Sequence, residues 1–305
     1  MTRPAVSVVI PTTGRAELPR ALESVRSQTF AGSIEAIVVV DSHEPLPSRV
    51  TELADVILYT SGGQGAPAAR NLGVKSARGD WLAFLDDDDV WEAQKIQTQV
   101  AILGEQETTI VGSRHRHVAS DGGSVSGPLP RQVIHPDERI EDYLFRRRIP
   151  AAGRASMYTS TLICSTTLAR RVPWDETLRR HQDWDWLIRA NREAHAIFIQ
   201  VPEPLAVIQV GTEGSISASD RWEESLAWGA TVLAASDPHT LTDFVTAQSL
   251  RYAVSARSLR GIVACLRVVV SARRVPSLGP ALIAIGGLLP RRTIQRILTR
   301  AATRV

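Results

Sequence analysis

Four consecutive aspartates are the residues of this chain whose type and spacing most directly suggest chemistry. They end the apolar run of WLAFLDDDDVW (81–91), which predicts that they lie at the edge of a core. A pair of carboxylates about 4 Å apart costs roughly 1 kcal/mol even in water, so a positive partner is expected. Carboxylate oxygens suit a hard divalent cation that also bridges substrate phosphates. In an extended segment Asp86 and Asp88 would face one cation together, whereas helix capping would account only for Asp88 or Asp89.

The segments on both sides of the aspartates alternate between predicted strands and predicted helices. β-Branched runs predict buried parallel strands, and apolar residues at helical spacing predict helices between them. The predicted strands are 5–10, 35–41, 56–59, 81–85 and 109–113, and the predicted helices lie at 18–25 and 66–77. This alternation predicts the α/β class, with a mostly parallel sheet and right-handed crossovers.

Polar residues follow three of these strands at their carboxyl ends, where ligands bind in open α/β sheets. The second strand ends at Asp41 and the fourth at the aspartates. The first leads into a turn made of Pro11, Thr12, Thr13, Gly14 and Arg15. The sequence therefore predicts one ligand site at this edge of the sheet.

After Ser113 the alternation becomes less regular. Residues 128–138 predict a loop, 159–165 a strand, 181–194 a helix, and 196–201 with 205–210 a pair of strands, and the pattern is helical from Asp220 onward. His115 and His117 alternate in SRHRHV. We interpret them as residues of a polar surface strand rather than as metal ligands, because no third ligand is near in the sequence.

The composition is typical of a folded globular protein, with 44% hydrophobic and 22% charged residues over 305 positions. Two cysteines provide neither a disulfide framework nor metal-ligand spacing, which suits a reducing compartment. The N-terminal apolar run is too short for a secretion signal, and no apolar stretch approaches the roughly 18 residues of a membrane span. These features predict a cytoplasmic protein.

Charge is divided unevenly along the chain. Residues 251–305 hold 11 arginines and no acidic residue, whereas the remainder holds 24 basic and 32 acidic side chains. In RRTIQRILTRAATRV (291–305), apolar residues and arginines occupy different helical faces, which predicts a helix lying in a membrane interface. Contact through 261–305 would place the protein on the inner face of a bacterial-type membrane. The alternative is a helical cap whose arginines are solvated.

Four longer motifs occur in a fixed order along residues 5–210: SVVIPTTGR, IVVVD, ARNLGVKSARGDWLAFLDDDD and HQDWDWLIR. Together they resemble family 2 nucleotide-sugar glycosyltransferases of the GT-A fold. The resemblance implies a GT-A catalytic domain at 1–215, in which 1–112 bind the nucleotide-sugar and 113–215 form the acceptor half. A helical, basic extension would follow at 216–305.

The resemblance also implies roles at the aspartates. The DxD motif of the family matches Asp86-Asp87-Asp88. Asp86 would lie near the ribose and the metal, and Asp88 would be the main protein ligand of Mg²⁺ or Mn²⁺. Asp87 belongs to the same donor-binding motif.

Further donor-binding roles follow from the same resemblance. The turn with Pro11, Thr12, Thr13 and Arg15 is similar to the nucleotide-contacting loop of the family. Asp41 would accept hydrogen bonds from the base or the ribose. Arg70 would contact the nucleotide side of the donor, although a helix arginine is also often part of a surface ion pair.

The motif HQDWD is similar to the acidic pair of the family, whose aspartate acts as the general base. Gln182 replaces the first acid, and Asp183 aligns with the base. On a helix Asp185 points about 200° away from Asp183, so only one of them is expected to face the donor. Helix capping is the alternative role for Asp183. Trp184 and Trp186 would form a sugar-stacking wall or pack in the core.

The implied activity is an inverting, metal-dependent transfer of one sugar from a nucleoside-diphosphate sugar to an acceptor hydroxyl. A UDP-sugar donor and a glycan or lipid-linked acceptor are favoured. Ala218 replaces the glutamine of the Gln-x-x-Arg-Trp motif of processive synthases, which favours a single transfer.

Two other classes of protein compete with this interpretation. A nucleotidyltransferase that makes sugar nucleotides would carry a glycine-rich, basic phosphate loop, which PTTGR does not resemble. A non-catalytic relative that only binds nucleotide-sugars would be expected to lack Asp183. The arginine-rich tail has no interleaved aromatic residues to stack bases, so no nucleic-acid partner is expected.

Overall fold

The computed structural model of the chain describes residues 4–104, 106–119, 125–146, 153, 155–211 and 221–288. The contacts divide the chain into two compact units. The first comprises 1–136 and 156–211, and the second comprises 137–155 and 212–305. The domain boundary predicted at 215 and the two predicted halves of the catalytic domain remain predictions, and 137–155, predicted within the acceptor half, lies in the second unit.

An eight-stranded sheet forms the centre of the first unit. Its strands are β1 Val6–Thr12, β2 Ile34–Val40, β3 Val56–Tyr59, β4 Trp81–Phe84, β5 Val90–Trp91, β6 Thr109–Ala119, β7 Ile163–Ser165 and β8 Ile197–Val210. The order across the sheet is β3-β2-β1-β4-β7-β6-β8-β5. The first four strands in this order are parallel to one another, as are β6 and β8, whereas β7 runs antiparallel to both of its neighbours and β5 antiparallel to β8. The predicted α/β class with a mostly parallel sheet is confirmed.

The helices follow the strands in the predicted alternation through the first half of the chain. In chain order they are α1 Leu18–Arg26, α2 Ser48–Leu53, α3 Ala66–Ser76, α4 Lys95–Leu103, α5 Ile140–Phe145, α6 Thr166–Arg171, α7 Gln182–Ala194, α8 Trp222–Val232, α9 Pro238–Phe244, α10 Arg251–Ser255, α11 Leu259–Ser271 and α12 Leu278–Gly286. All seven residues of β1 are buried, because helices or further chain cover both faces of this central strand.

Two predicted strand assignments are wrong in detail. The pair expected at 196–201 and 205–210 is the single strand β8, which continues through Pro202 and Pro204. Prolines cannot donate a ladder hydrogen bond, and the register with β6 shifts at this point instead of ending. Within 159–165 only β7 is extended, because Thr159–Thr161 forms a turn of 3₁₀ helix.

The surface position expected for the histidine pair of β6 is wrong for His115. The side chain of His115 is fully buried, with its ring 5.0 Å from that of His117 and 4.8 Å from that of Tyr158. Burial, with a smaller contribution from the neighbouring His117, lowers the pKa of His115 to about 3. Both rings therefore pack as neutral aromatic groups.

The second unit consists of helices wherever the structure describes it at 221–288, as predicted. Phe145 of α5 packs edge-on against Trp228 of α8 and Phe244 of α9, with ring centroids 6.1 and 5.0 Å away. These contacts explain why 137–155 joins this unit. Across the described residues, every helix is too short or too polar to cross a bilayer. The helix predicted at 291–305 lies outside the described residues.

Candidate active site

The four aspartates form a tight turn directly after β4. The backbone N–H of Asp89 donates a hydrogen bond to the carbonyl oxygen of Asp86 at 3.1 Å. The segment is therefore not extended, and the expectation that Asp86 and Asp88 share one face by simple alternation is wrong. We call Asp86–Asp89 the aspartate turn, and each of its carboxylates has its own set of partners.

Two carboxylates of the aspartate turn face the loop that follows β1. The hydroxyl of Thr12 donates to Asp87 Oδ2 at 2.6 Å, and Arg15 Nη1 lies 2.7 Å from Asp88 Oδ2. Burial raises the pKa of Asp87 to about 6. Burial and the negative charge of Asp86 also raise the pKa of Asp88. Burial is thus the larger cause in both groups, repulsion between neighbouring carboxylates adds to it, and Arg15 opposes it.

The fourth carboxylate holds the turn in place. Asp89 Oδ2 accepts a hydrogen bond from the buried hydroxyl of Ser160 at 2.5 Å, and Oδ1 accepts one from the backbone N–H of Gln209 at 2.9 Å. The same Ser160 oxygen accepts the backbone N–H of Asp86 at 3.0 Å. The carbonyl of Ser160 accepts from Trp91 Nε1 at 2.7 Å. Asp89 and Ser160 thus join both ends of the aspartate turn to β8 and the 3₁₀ segment.

Arg70 of α3 connects the aspartate turn to the start of α7. Its Nη2 lies 2.7 Å from Asp86 Oδ1, and its Nη1 donates to Gln182 Oε1 at 3.3 Å. The guanidinium group also lies 4.6 Å from the ring centroid of Trp174. Arg70 is buried, so the alternative of a surface ion pair is wrong. Gln182 replaces an acid of the family motif, and its side-chain oxygen still accepts a hydrogen bond from Arg70.

Asp183 lies in the first turn of α7, next to Gln182. Burial, with a smaller contribution from the charge of Asp86, raises the pKa of Asp183 to about 6 against the opposing effects of the Trp184 N–H and of Arg70. Its carboxylate therefore shares the electrostatic environment of Arg70 and Asp86. The cap position of α7 is His181, so the alternative role of helix cap is wrong for Asp183.

Asp185, the other acid of the motif, contacts residues that stabilise the fold. Asp185 is buried, and Arg189 Nε lies 2.6 Å from its Oδ2 one helical turn further along. Trp186 is fully buried, and its indole N–H donates to the carbonyl of Val172 at 2.7 Å. Trp184 is only half-buried and stacks on His181 with ring centroids 4.7 Å apart. Of the two tryptophans, Trp186 belongs to the core.

Asp41 organises a glycine-rich loop rather than joining the aspartate turn. Its Oδ1 accepts from Thr60 and from the Gln64 N–H at 2.9 Å, and Oδ2 accepts from the Gly65 N–H at 2.6 Å. Burial by itself would raise the pKa of Asp41, but these three hydrogen bonds outweigh it and hold the pKa below its usual value.

The loop that Asp41 holds, residues 60–65, needs glycine for conformational reasons. Gly65 has φ 94° and ψ 162°, a region that other residues rarely adopt, and a Cβ there would lie 3.1 Å from Arg179 Nη1. Arg179 also favours the charged form of Asp41. The loop precedes α3 at the same sheet edge as the aspartate turn, so it borders the predicted ligand site.

The remaining predicted residues of the first loop have different environments. Pro11 is buried within β1, opposite Val39 of β2, whereas Thr13 is exposed. The backbone N–H of Asp41 donates to the carbonyl of Thr12 at 2.7 Å, which ties the ends of β1 and β2 together. Pro11 therefore shapes the loop, and Thr12 and Arg15 are the members that contact the aspartate turn.

Sequence reasoning missed several residues of this region. The run TSGGQG before a helix was a readable signal, because clustered glycines beside a strand end often form a ligand loop. Ser160 and Gln209 offered no such signal. They are distant in sequence, and their contacts to Asp89 depend on the tertiary fold.

The donor set at the aspartate turn fits a divalent cation. Asp86 and Asp88 provide carboxylate oxygens, and after burial the negative charge of Asp86 is the next cause of the raised pKa of Asp88, a repulsion that a cation would offset. In the described part of the chain, no group of three or more His, Cys, Asp or Glu side chains could enclose a metal ion. Two carboxylates, completed by phosphate and water, are a usual arrangement for Mg²⁺.

Comparison with known proteins shows that this chain is similar to sugar-transferring enzymes. The amylovoran biosynthesis glycosyltransferase AmsB of Erwinia amylovora is 27% identical over 282 residues, which cover 86% of this chain and 89% of AmsB. The Escherichia coli protein WfgD, a UDP-Glc:α-D-GlcNAc-diphosphoundecaprenol β-1,3-glucosyltransferase, is 31% identical over 102 residues, or 32% of this chain and 40% of WfgD.

Solved structures show the same fold. The crystal structure of S. aureus TarS 1-349 in complex with UDP-GlcNAc superposes with a TM-score of 0.63 at 17% identity, covering 88% of this chain and 81% of that one. The predicted GT-A architecture is thereby confirmed. Residues 7–172, more than half of the chain, match the family description "Glycosyl transferase family 2". The chain therefore belongs to glycosyl transferase family 2, and it is a glycosyltransferase.

Proposed function

We propose that this glycosyltransferase moves one sugar from a UDP-sugar to a hydroxyl group of a glycan or lipid-linked acceptor, with inversion and with dependence on Mg²⁺ or Mn²⁺. One observation carries the proposal: Arg70 joins Asp86 to the start of α7, where Asp183 lies. A donor-side carboxylate and a candidate base thus belong to one connected site.

The choice of donor is supported by relatives and by local chemistry. The TarS complex contains UDP-GlcNAc, and the name of WfgD specifies a UDP-glucose donor. In this chain Thr12, Arg15 and the glycine-rich loop line the carboxyl ends of β1 and β3. Of these, Arg15 carries a guanidinium group, which pairs well with phosphate oxygens.

Asp183 is proposed as the general base. A carboxylate with a pKa of about 6 is ionised at neutral pH, yet it is a stronger base than an ordinary aspartate. It can take the proton of the acceptor hydroxyl while the oxygen attacks the anomeric carbon. Direct displacement from the side opposite the leaving nucleotide inverts the anomeric configuration.

Asp86 and Asp88 are proposed to hold the cation. When bound, Mg²⁺ or Mn²⁺ would stabilise the negative charge that develops on the leaving diphosphate. Arg15 already pairs with Asp88 and keeps that side chain oriented. Arg70 does the same for Asp86, so the aspartate turn is preorganised.

The names of two relatives support the proposed acceptor class. WfgD is named for a diphosphoundecaprenol-linked acceptor, and AmsB for amylovoran biosynthesis. We therefore propose a role in envelope or extracellular polysaccharide synthesis. Peripheral contact with the inner face of the cytoplasmic membrane through 261–305 would bring the enzyme to such an acceptor.

Metal dependence tests the transfer chemistry. Donor turnover, measured as UDP release from UDP-GlcNAc and UDP-Glc in the presence of membrane lipid extract, should be lost in excess EDTA and return with Mg²⁺ or Mn²⁺. Asp88→Asn should lose UDP binding and turnover together, because it removes a charged metal ligand. The matched control is Asp55→Asn, whose carboxylate pairs with Arg26 on an exposed surface and should leave both unchanged.

Two outcomes would contradict the proposal. Full turnover in excess EDTA would remove the metal from the mechanism. Release of pyrophosphate from UTP and a sugar 1-phosphate, without UDP release from the UDP-sugars, would favour a nucleotidyltransferase activity instead.

A further inference from the structure

The outward face of α11 is apolar. Leu259, Val263, Leu266 and Val270 are exposed, and their spacing places them within an arc of about 60°. The opposite face of the helix is buried at Gly261, where a Cβ would collide with the ring of Trp222. A helix packed on a domain normally turns its apolar stripe inward and its polar residues outward. Here the solvent side carries an apolar stripe of its own.

Helix α12 repeats this arrangement. Leu278, Leu282 and Ile285 are exposed at spacings of four and three residues, while Gly279 and Ala284 are buried. Of the twelve large hydrophobic residues that are exposed in the described part of the chain, nine lie within 259–288. Their exposed fractions run from 46% to 82%. The apolar exposure is therefore concentrated on this helical pair and the segment between its helices.

The charges beside these stripes are all positive. Arg260 and Arg267 flank the stripe of α11, and Arg273 and Arg274 are exposed in the connecting segment. No carboxylate occurs anywhere in the sequence from 251 to 305. A second copy of the same surface would bring arginine against arginine, which disfavours self-association. A partner that matches this surface must have an apolar interior and an anionic surface layer.

We propose that α11 and α12 form a docking surface for an anionic lipid bilayer. The apolar stripes would enter the headgroup and acyl boundary, and the four arginines would pair with lipid phosphates. We call this set the docking surface: Leu259, Arg260, Val263, Leu266, Arg267, Val270, Arg273, Arg274, Val275, Leu278, Leu282 and Ile285. This inference rests on the proposed function in one respect: a lipid-linked acceptor would explain why the enzyme binds a bilayer. It assigns the membrane contact to α11 and α12, and it does not depend on the helix expected at 291–305.

Vesicle flotation of the full chain tests the docking surface. We expect binding to vesicles of 70% phosphatidylcholine and 30% phosphatidylglycerol, and at least tenfold weaker binding to pure phosphatidylcholine. Leu266→Gln/Val270→Gln should weaken binding to the anionic vesicles by about tenfold or more, because two apolar side chains that would enter the bilayer are replaced by polar ones. The matched control is Val125→Gln/Ile197→Gln, which changes two exposed hydrophobic residues of the first unit and should bind as the unchanged chain does.

Arginine variants test the electrostatic part. Arg260→Gln/Arg267→Gln should weaken binding to anionic vesicles by about fivefold per arginine and leave binding to neutral vesicles unchanged. Raising the salt concentration should reduce the difference, since exposed charges are screened.

Three results would overturn the docking surface. These are no binding to anionic vesicles, full binding by the Leu266→Gln/Val270→Gln variant, and a dimer in gel filtration that this variant dissociates. The second result would show that the apolar stripe of α11 does not enter the bilayer, and the third would identify a second copy as the partner. Binding of UDP with Mn²⁺, measured on the same samples by thermal shift, reports on the proposed function separately and should be equal in all variants.

Discussion

At the scale of single residues, the distinction between Asp183 and Asp185 decides the chemistry. Asp183→Asn keeps the shape of the side chain but cannot accept the proton of the acceptor hydroxyl. We expect turnover to fall by about 10² to 10⁴, with UDP affinity nearly unchanged. The two quantities are measured by UDP release and by calorimetric titration with UDP.

Asp185→Asn is the matched control for this prediction. Asp185 is buried and paired with Arg189, so its loss should lower the melting temperature while the chemistry of properly folded enzyme persists. If Asp185→Asn is the inactive variant and Asp183→Asn turns over normally, the base has been assigned to the wrong face of α7.

The raised pKa of Asp183 also predicts a pH dependence. A base acts in its ionised form, so kcat/KM should rise with pH through about 6 and level off above it. The pKa of Asp87 is also about 6, and a profile of the unchanged chain cannot separate the two groups. Gln182→Glu adds negative charge beside Asp183, which should move the acidic limb of the profile to higher pH. An unmoved limb in this variant would assign it to Asp87 instead.

At the scale of elements, the aspartate turn depends on the short segment before β7. Ser160→Ala removes the hydroxyl that serves both the Asp86 N–H and the Asp89 carboxylate, and it leaves two buried polar groups without that partner. We expect a loss of about 1–3 kcal/mol in the free energy of unfolding. Affinity for UDP with Mn²⁺ should fall as well, because the turn that presents Asp86 and Asp88 loosens.

Ser165→Ala separates these two effects. Ser165 is also buried, and its hydroxyl accepts the Leu168 N–H at 3.0 Å as the cap of α6, away from the aspartate turn. This variant should lose a similar amount of stability, as measured by urea unfolding, with unchanged affinity for UDP. Equal UDP affinity in the two variants would mean that Ser160 only stabilises the fold.

At the scale of the whole molecule, the second unit takes an element from the middle of the chain. Ile140, Tyr143, Leu144 and Phe145 of α5 are buried, and Phe145 contacts Trp228 and Phe244. A chain ended after Gly211 would keep α5 but lose its partners, and the exposed apolar residues should cause aggregation in gel filtration. A chain ended after Leu288 keeps these partners and should elute as a single species. A monodisperse product ending at Gly211 would contradict the assignment of α5 to this unit.

The family, the α/β class and the position of the site could be derived from the sequence. Strand and helix periods repeat every few residues, so β1 to β4, α1, α3 and α7 were predicted within a residue or two of their ends. The aspartates and HQDWD were recognisable because the charged groups stand together in the sequence. Local patterns of this kind do not depend on the rest of the fold.

Only the tertiary structure decided what each of these residues contacts. Helical geometry predicts that Asp183 and Asp185 point in different directions, but not which of them shares the environment of Arg70. The Arg70–Gln182 bond spans 112 residues and the Ser160–Asp89 bond 71, and no local period encodes such a pairing. For the same reason, α5 could not be assigned to the second unit from its own sequence. Contacts between distant segments form only when the whole sheet and its helices pack together.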